Sequence, residues 1–525
     1  MPSIMAPDPV AEAFRHRVEH QPDSVVAACC AATWTARELD DLARGLEGRL
    51  SEAGLGEGSL VGLTAGDGPG FLAGLLALRR RHCAPILLGA GSAEARRTAL
   101  ELGASALLDG PGWPRRADEL TIEPLEDAAE PSDLASRAAV VKLSSGSTGR
   151  PRGIVVSTES VAADEDALAR TMGLGWGERI LVGVPLSHSY GLSSVALPVL
   201  TRGATLVLPR PGGGPFASLR AGHELGATFF PTVPAYLQAL LKLAEPPSWP
   251  ETLRLTITAG APLLPDTARR FRETYGRRIH VFYGASECGG ISYDRDGGAG
   301  ERGSLGTPVA GVEVLFEGET GPCPEGPGLV TVRSPAVACG YLPSTEVPAT
   351  CTKVPATRQN PSFARPPATD RETAPATPKT TNPDLGEKVP ATSHTPTPSL
   401  VSGCFRTSDL GELLHGELYL LGRIDDVIIL KGKKVHPREV ELILRDLAPV
   451  EDVAVLAVPR PGGEPVLRAV VACAPGSLDR EQVLAWCRGH LADHKVPRSV
   501  VLLPELPRTE RGKLDRRALR RLEQR

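Results

Sequence analysis

Apolar positions along this chain fall into runs of two recurring kinds. The first is short, continuous and aliphatic, as in Leu60 to Thr64, Ala84 to Leu88, Arg179 to Val184, Thr205 to Leu208, Thr228 to Pro231 and Leu253 to Thr258. The second is longer and helix-like, as in Gly70 to Leu78, which follows the first strand-like run. Strands that alternate with helices are joined by crossover units, and crossovers make parallel pairs. The pattern therefore predicts an α/β fold, with largely parallel sheets covered by helices.

The alternation stops near Pro343. From there to about Ser402 the chain is rich in Pro, Thr, Ala and Ser, and Pro-Ala-Thr recurs from Pro348, Pro355, Pro367, Pro375 and Pro390. A segment this poor in bulky apolar residues cannot offset the entropy lost on ordering, so 343–402 is expected to be a disordered insertion. Order resumes at Gly403. Beyond Arg423 the texture changes to short β-rich and helical pieces, such as Val453 to Val458 and Arg480 to Leu491, which predicts a small, mobile α+β domain. The expected division is a large domain over 1–422 and a small one over 423–525. A chain of 525 residues is long enough for both.

Composition adds mostly exclusions. A net charge of -4 gives no reason to expect nucleic acid, which usually needs a basic face. The ten cysteines form no CxxC pair, which argues against a zinc site or a disulfide framework and fits a reducing, cytoplasmic setting. No basic segment followed by an apolar one stands near Met1, and no run approaches the ~20 apolar residues of a spanning helix. Neither a secretion leader nor a membrane span is expected.

The clearest chemical signal is Leu143-Ser144-Ser145-Gly146-Ser147-Thr148-Gly149-Arg150-Pro151-Arg152-Gly153, set between apolar runs. Its glycines let backbone amides turn inward, and its hydroxyls and arginines add donors, a composition suited to polyphosphate. It is not a Walker loop, since no Gly-Lys-Ser/Thr closes it. Further along, Val281 to Glu287 reads as a strand ending in a Gly turn with a carboxylate beyond it. Gly403 to Leu410 sets an aspartate after an arginine and two hydroxyls. Leu421 to Gly432 couples a charged turn to a strand, and Leu506 to Leu514 carries Pro507-Arg508-Thr509 before Lys513.

In this order, and with Thr33 to Leu39 near the start, these segments resemble the acyl-adenylate-forming superfamily: acyl-CoA synthetases, adenylation domains of peptide synthetases and firefly luciferase. The resemblance is nearest to fatty or aryl acid-CoA ligases. It implies that Ser145, Gly146, Ser147, Thr148 and Gly149 hold the β- and γ-phosphates of ATP, with Arg152 where the family usually has lysine. It implies nucleotide contacts from Tyr283, Gly284, Ser286, Asp409 (to the ribose) and Arg423, and places Mg2+ at Glu287. It assigns catalytic parts to Lys513, Glu287, Thr148 and His188, with Asp425 as the hinge of a moving small domain. Two departures from the family pattern are Ser286 for threonine and Ser408 for glycine.

The acid pocket implied by the resemblance includes His188, Gly260, Ala261 and Gly284. With His188 and no nearby carboxylate, an α-amino acid is disfavoured, because its buried ammonium would lack a partner. The expected acceptor is the thiol of coenzyme A, with a separate acyl carrier protein as the alternative. A non-catalytic, adenylate-binding regulatory paralogue is the alternative of another class. Excising Thr345 to Thr397 and bridging the ends with a short linker should leave adenylation nearly intact, as measured by acid-dependent pyrophosphate release. A loss beyond tenfold, about 1.4 kcal/mol of barrier, would mean the segment is part of the working fold.

Overall fold

The computed structural model describes residues 8–90, 93–126, 133–144, 152–210, 213–214, 216–318, 321–343, 399–401, 403–424, 428–430, 433–460, 463–508 and 514–522. Ser145, Gly146, Ser147, Thr148, Gly149, Asp425, Lys513 and nearly all of the 343–402 segment lie outside them. The described residues form two compact units. One comprises 8–314, 332–343 and 399–405; the other comprises 315–331 and 406–522.

The first unit is built on two mixed sheets. One has nine strands, and its centre is parallel: Val25–Cys29, Thr205–Val207, Arg179–Leu181, Phe229–Thr232, Leu255–Thr258 and His280–Ala285 lie side by side in that order. The second has seven strands with a parallel centre of Val140–Ser144, Ala84–Leu87, Leu60–Leu63 and Ala106–Asp109. Antiparallel strands close both edges of each sheet, which the alternation pattern did not foresee. For the hairpins among them the reason is connection length. Val140–Ser144 and Arg152–Val156 are joined by a short loop, as are His280–Ala285 and Gly289–Tyr293, and short loops can only return a strand antiparallel.

Local chemistry sets the helices. Thr35 and Glu38 form a reciprocal capping box that starts Ala36–Glu52, inside the early motif singled out from sequence. Asp8 accepts from the amides of Val10 and Ala11 to start Pro9–His20. Pro69–Arg80 opens with proline at its first turn and is buried on nearly every side, so it packs as a core helix. Phe14, Leu39, Leu46, Phe71, Leu76, Phe229 and Ile257 join these helices to the sheets in one large core. Buried side chains of this size stabilise by about 1.5–3 kcal/mol each. Among the described residues no helix is long and apolar enough to cross a membrane.

The second unit holds the α+β texture expected after Arg423. Asp452–Arg460 and Gly463–Ala472 pair antiparallel, and Ser499–Leu503 joins the latter in parallel. Helices Pro437–Arg445 and Arg480–His490 cover this sheet through Val440, Leu444, Val483 and Cys487. The unit also contains Glu417–Arg423 and, from Arg406 on, the strand Cys404–Leu414 that pairs antiparallel with it.

Candidate active site

The hairpin with the glycine-rich loop ends its described part in a direct pair, Ser144 opposite Arg152. Gly340–Leu342 adds antiparallel to the same strand, with Tyr341 opposite Ile154. The exposed Arg152 guanidinium lies over the Tyr341 ring, 4.0 Å from its centroid. The Tyr341 hydroxyl donates to Glu287 Oε1 at 3.4 Å, and the Ala338 amide donates to the Glu287 carbonyl at 2.7 Å. Burial and the Glu287 carboxylate raise the Tyr341 phenol above its ordinary pKa, against the opposing Arg152 charge, so it stays a neutral donor. A cation, a phenol and a carboxylate are thus drawn into one array beside the loop. Sequence reasoning named the two charges and missed the tyrosine between them.

Glu287 sits on the turn between His280–Ala285 and Gly289–Tyr293. The strand runs through Gly284 to Ala285 before turning, so the expected Gly turn comes later than the sequence indicated. Gly284 is needed for another reason: a Cβ there would lie 2.7 Å from the Gly289 carbonyl. Tyr283 is half-buried on the same strand, paired with Ser292. Behind the turn lies Asp164, a buried residue of the helix Thr158–Met172. Its carboxylate accepts from the Gly290 amide at 3.0 Å and from Ser193 Oγ at 2.8 Å. Gly289 has a φ of +72°, and a side chain there would run into that carboxylate. Cys288 is buried beside it, and burial pushes its thiol pKa well up, helped by Glu287 and Asp164, so it is no nucleophile.

His188 and its neighbours meet the same turn. His188 is half-buried at the start of the short helix Ser189–Gly191, and Ser189 Oγ donates to Ser286 Oγ at 2.7 Å. Gly260, with a φ of +83°, and Ala261 are exposed just beyond Leu255–Thr258. Arg152, His188, Gly260, Ala261, Tyr283, Gly284, Ser286 and Glu287 therefore all belong to the first unit, and Arg152, Tyr341 and Glu287 touch in series.

Asp409 and Arg423 belong to the second unit. They are opposite residues on paired strands, with Arg423 Nε 3.5 Å from Asp409 Oδ1. Ser408, at a departure from the family pattern, is buried with its hydroxyl unpartnered. Around the undescribed 509–513, Arg508 and Leu514 form an antiparallel bridge, and Arg508 donates to Asp452 Oδ2 at 2.7 Å.

The sequence profile of the AMP-binding enzyme family matches residues 14–342, and that of the AMP-binding enzyme C-terminal domain matches 439–513. The chain belongs to the AMP-binding enzyme family. It is an adenylate-forming enzyme of the acyl- or aryl-CoA ligase type, as the ordered motifs implied. A feruloyl-CoA synthase from Amycolatopsis sp is 29% identical over 511 residues, covering 93% of each chain. An indoleacetate–CoA ligase from Aromatoleum aromaticum is 28% identical over 390 residues, covering 72% of this chain and 66% of that one. Among solved structures, the amide bond synthetase McbA from Marinactinospora thermotolerans has a TM-score of 0.74 at 26% identity, covering 98% of this chain and 99% of that one.

The array makes a graded prediction. Tyr341→Phe keeps the ring under Arg152 and loses only the bond to Glu287, so kcat/KM for ATP should fall about two- to tenfold, the worth of one such bond. Tyr341→Ala should lose more, and Arg152→Lys should lose less in the Tyr341→Ala background than in the wild type. Steady-state kinetics at varied ATP reads all three; additive losses would mean that the ring does not couple the two charges.

Proposed function

We propose that this enzyme activates an aryl or fatty carboxylic acid as its acyl-adenylate and then transfers the acyl group to the thiol of coenzyme A. A carboxylate oxygen attacks the α-phosphorus of ATP, the bond to the β-phosphate oxygen breaks, and pyrophosphate leaves. The thiolate sulfur then attacks the acyl carbonyl carbon, and AMP leaves with the carboxylate oxygen. The observation that carries this reading is the Arg152–Tyr341–Glu287 array at the mouth of the glycine-rich hairpin. Feruloyl-CoA synthase and indoleacetate–CoA ligase, both named for aromatic acids and coenzyme A, support the choice of acid and thiol.

In this reading Ser145, Gly146, Ser147, Thr148 and Gly149 cradle the β- and γ-phosphates with Arg152, whose planar fork can take two phosphate oxygens where lysine offers a point charge. Tyr283, Gly284 and Ser286 line the nucleotide, Asp409 accepts from the ribose hydroxyls, and Arg423 contacts the nucleotide beside it. Gly260 and Ala261 belong to the floor of the acid pocket, and His188 helps to wall it. Among the described residues no group of three or more His, Cys, Asp or Glu could hold a metal ion by itself. Magnesium needs only one or two carboxylates when substrate phosphates supply the rest, and Glu287 fits that part. Bound there, the cation would neutralise phosphate charge.

Lys513 supplies positive charge to the reacting carboxylate and α-phosphate, and the small domain over 423–525 then turns about Asp425 to face the thiol. The Arg508–Asp452 ion pair and the Arg508–Leu514 bridge support this part, because they anchor both ends of the segment that carries Lys513. A second reading, transfer to an amine in place of a thiol, is favoured by the likeness to the amide bond synthetase.

Lys513→Ala should slow acid-dependent pyrophosphate release by about 10²–10³. The same variant given synthetic acyl-adenylate and coenzyme A should form thioester at close to the wild-type rate. Equal losses in both assays would contradict a lid that alternates between two tasks. Product masses from acid, ATP and either coenzyme A, a carrier protein or a free amine identify the acceptor.

A further inference from the structure

A lysine is rarely found inside a protein unless something negative meets it there. Lys142 is 4% exposed, in the middle of Val140–Ser144, the strand that leads to the glycine-rich stretch. Among the described residues nothing hydrogen-bonds or ion-pairs with it. None of the motifs assigns it a part.

Strand register shows which way the side chain goes, because alternate residues face opposite sides of a sheet. Val140, Ile154 and Val156 enter the large core, and Tyr341 packs against it. Val141, Val155 and Leu342 enter a separate cluster on the other side. Lys142 shares the face of Val140. It is directly opposite Ile154, which is directly opposite Tyr341, so the three stand in one row across three strands. At the usual spacings Lys142 is about 10 Å from Tyr341 along the row, and the pair of Ser144 and Arg152 lies about 7 Å further along the strands.

Both ends of the row reach the same turn. Tyr341 donates to Glu287. Lys142 is felt by the next residue, Cys288: burial pushes that thiol up, Glu287 and Asp164 push it further, and the Lys142 charge pulls it back. The two carboxylates take their hydrogen bonds elsewhere, Asp164 from the Gly290 amide and Ser193, and Glu287 from Tyr341. Lys142 thus balances charge at a distance and keeps its own donors in hand. Buried donors without partners cost stability, and an anion that accepts from them recovers it. The anion that adenylation brings to Arg152 is the β,γ end of ATP, which leaves as pyrophosphate.

We infer that Lys142 is a second cation for the pyrophosphate end of ATP, acting with Arg152 from the same sheet face. This rests on the adenylation reading and adds a binding residue to it. Arg152 approaches from the exposed end of the hairpin, stacked on Tyr341. Lys142 approaches from within, its stem packed along the apolar row and its head presented at the far end, as long basic side chains can do. Pyrophosphate carries the charge that this head answers. AMP lacks both of those phosphates.

The test is isothermal titration calorimetry of the full chain with magnesium pyrophosphate and, separately, with AMP. Lys142→Met keeps the stem and removes the charge. It should weaken pyrophosphate about ten- to hundredfold, the worth of one charge-assisted bond, and leave AMP close to wild type. KM for ATP should rise with it. Lys142→Gln keeps a hydrogen-bonding head without the charge; it should show the same selective loss, and it serves where the methionine variant does not fold. Equal weakening of both ligands would mean that Lys142 only shapes the fold, and unchanged pyrophosphate binding would place it away from the phosphates; either overturns the inference. A wild type that binds both ligands yet releases no pyrophosphate with any acid overturns the adenylation reading instead.

Discussion

The Asp164 carboxylate, buried behind the Gly289–Gly290 turn, is the interaction on which the geometry of the site depends. It accepts from one backbone amide and one serine hydroxyl, and the missing side chain of Gly289 leaves it room. From that anchor the turn is pinned in three further places: Ser286 to Ser189, the Glu287 carbonyl to the Ala338 amide, and the Glu287 carboxylate to Tyr341. Elements far apart in sequence meet here because each donates to, or accepts from, the short segment 286–290. A carboxylate held in this way is set before its ligands arrive, and preorganised charge costs no rearrangement at the moment of reaction.

Arg152 gains its meaning from the same arrangement. A lysine at the start of that strand would offer one ammonium to a phosphate. An arginine offers a flat cation that stacks on Tyr341 and still presents its fork. Such stacking is worth about 0.5–1 kcal/mol at an exposed site, enough to bias the side chain toward one orientation. The departure from the usual lysine is therefore matched by a partner on the neighbouring strand.

Much of the architecture was legible in the sequence, because continuous apolar runs and helical spacing survive folding unchanged. Leu60–Leu63, Ala84–Leu87, Thr205–Val207 and Leu255–Thr258 stand where the pattern put them. Arg179–Leu181 is shorter than its apolar run, which continues to Val184. The antiparallel hairpins depend on loop length, which hydrophobic pattern does not report. Tyr341 and Asp164 were not legible either. Asp164 stands in Asp164-Glu165-Asp166, which reads as a solvated helix face until the fold buries its first two members. Tyr341 meets Glu287 across 54 residues, and no local spacing announces such a contact.

The central claim is that the acid oxygen becomes bonded to the α-phosphorus of ATP, and the label carried by that oxygen tests it most directly. With the carboxylate fully enriched in 18O, ATP and coenzyme A, mass spectrometry of the products should find a single 18O in AMP for each thioester formed, and unlabelled pyrophosphate. Label appearing in orthophosphate or pyrophosphate, or thioester formed with unlabelled AMP, would contradict an acyl-adenylate.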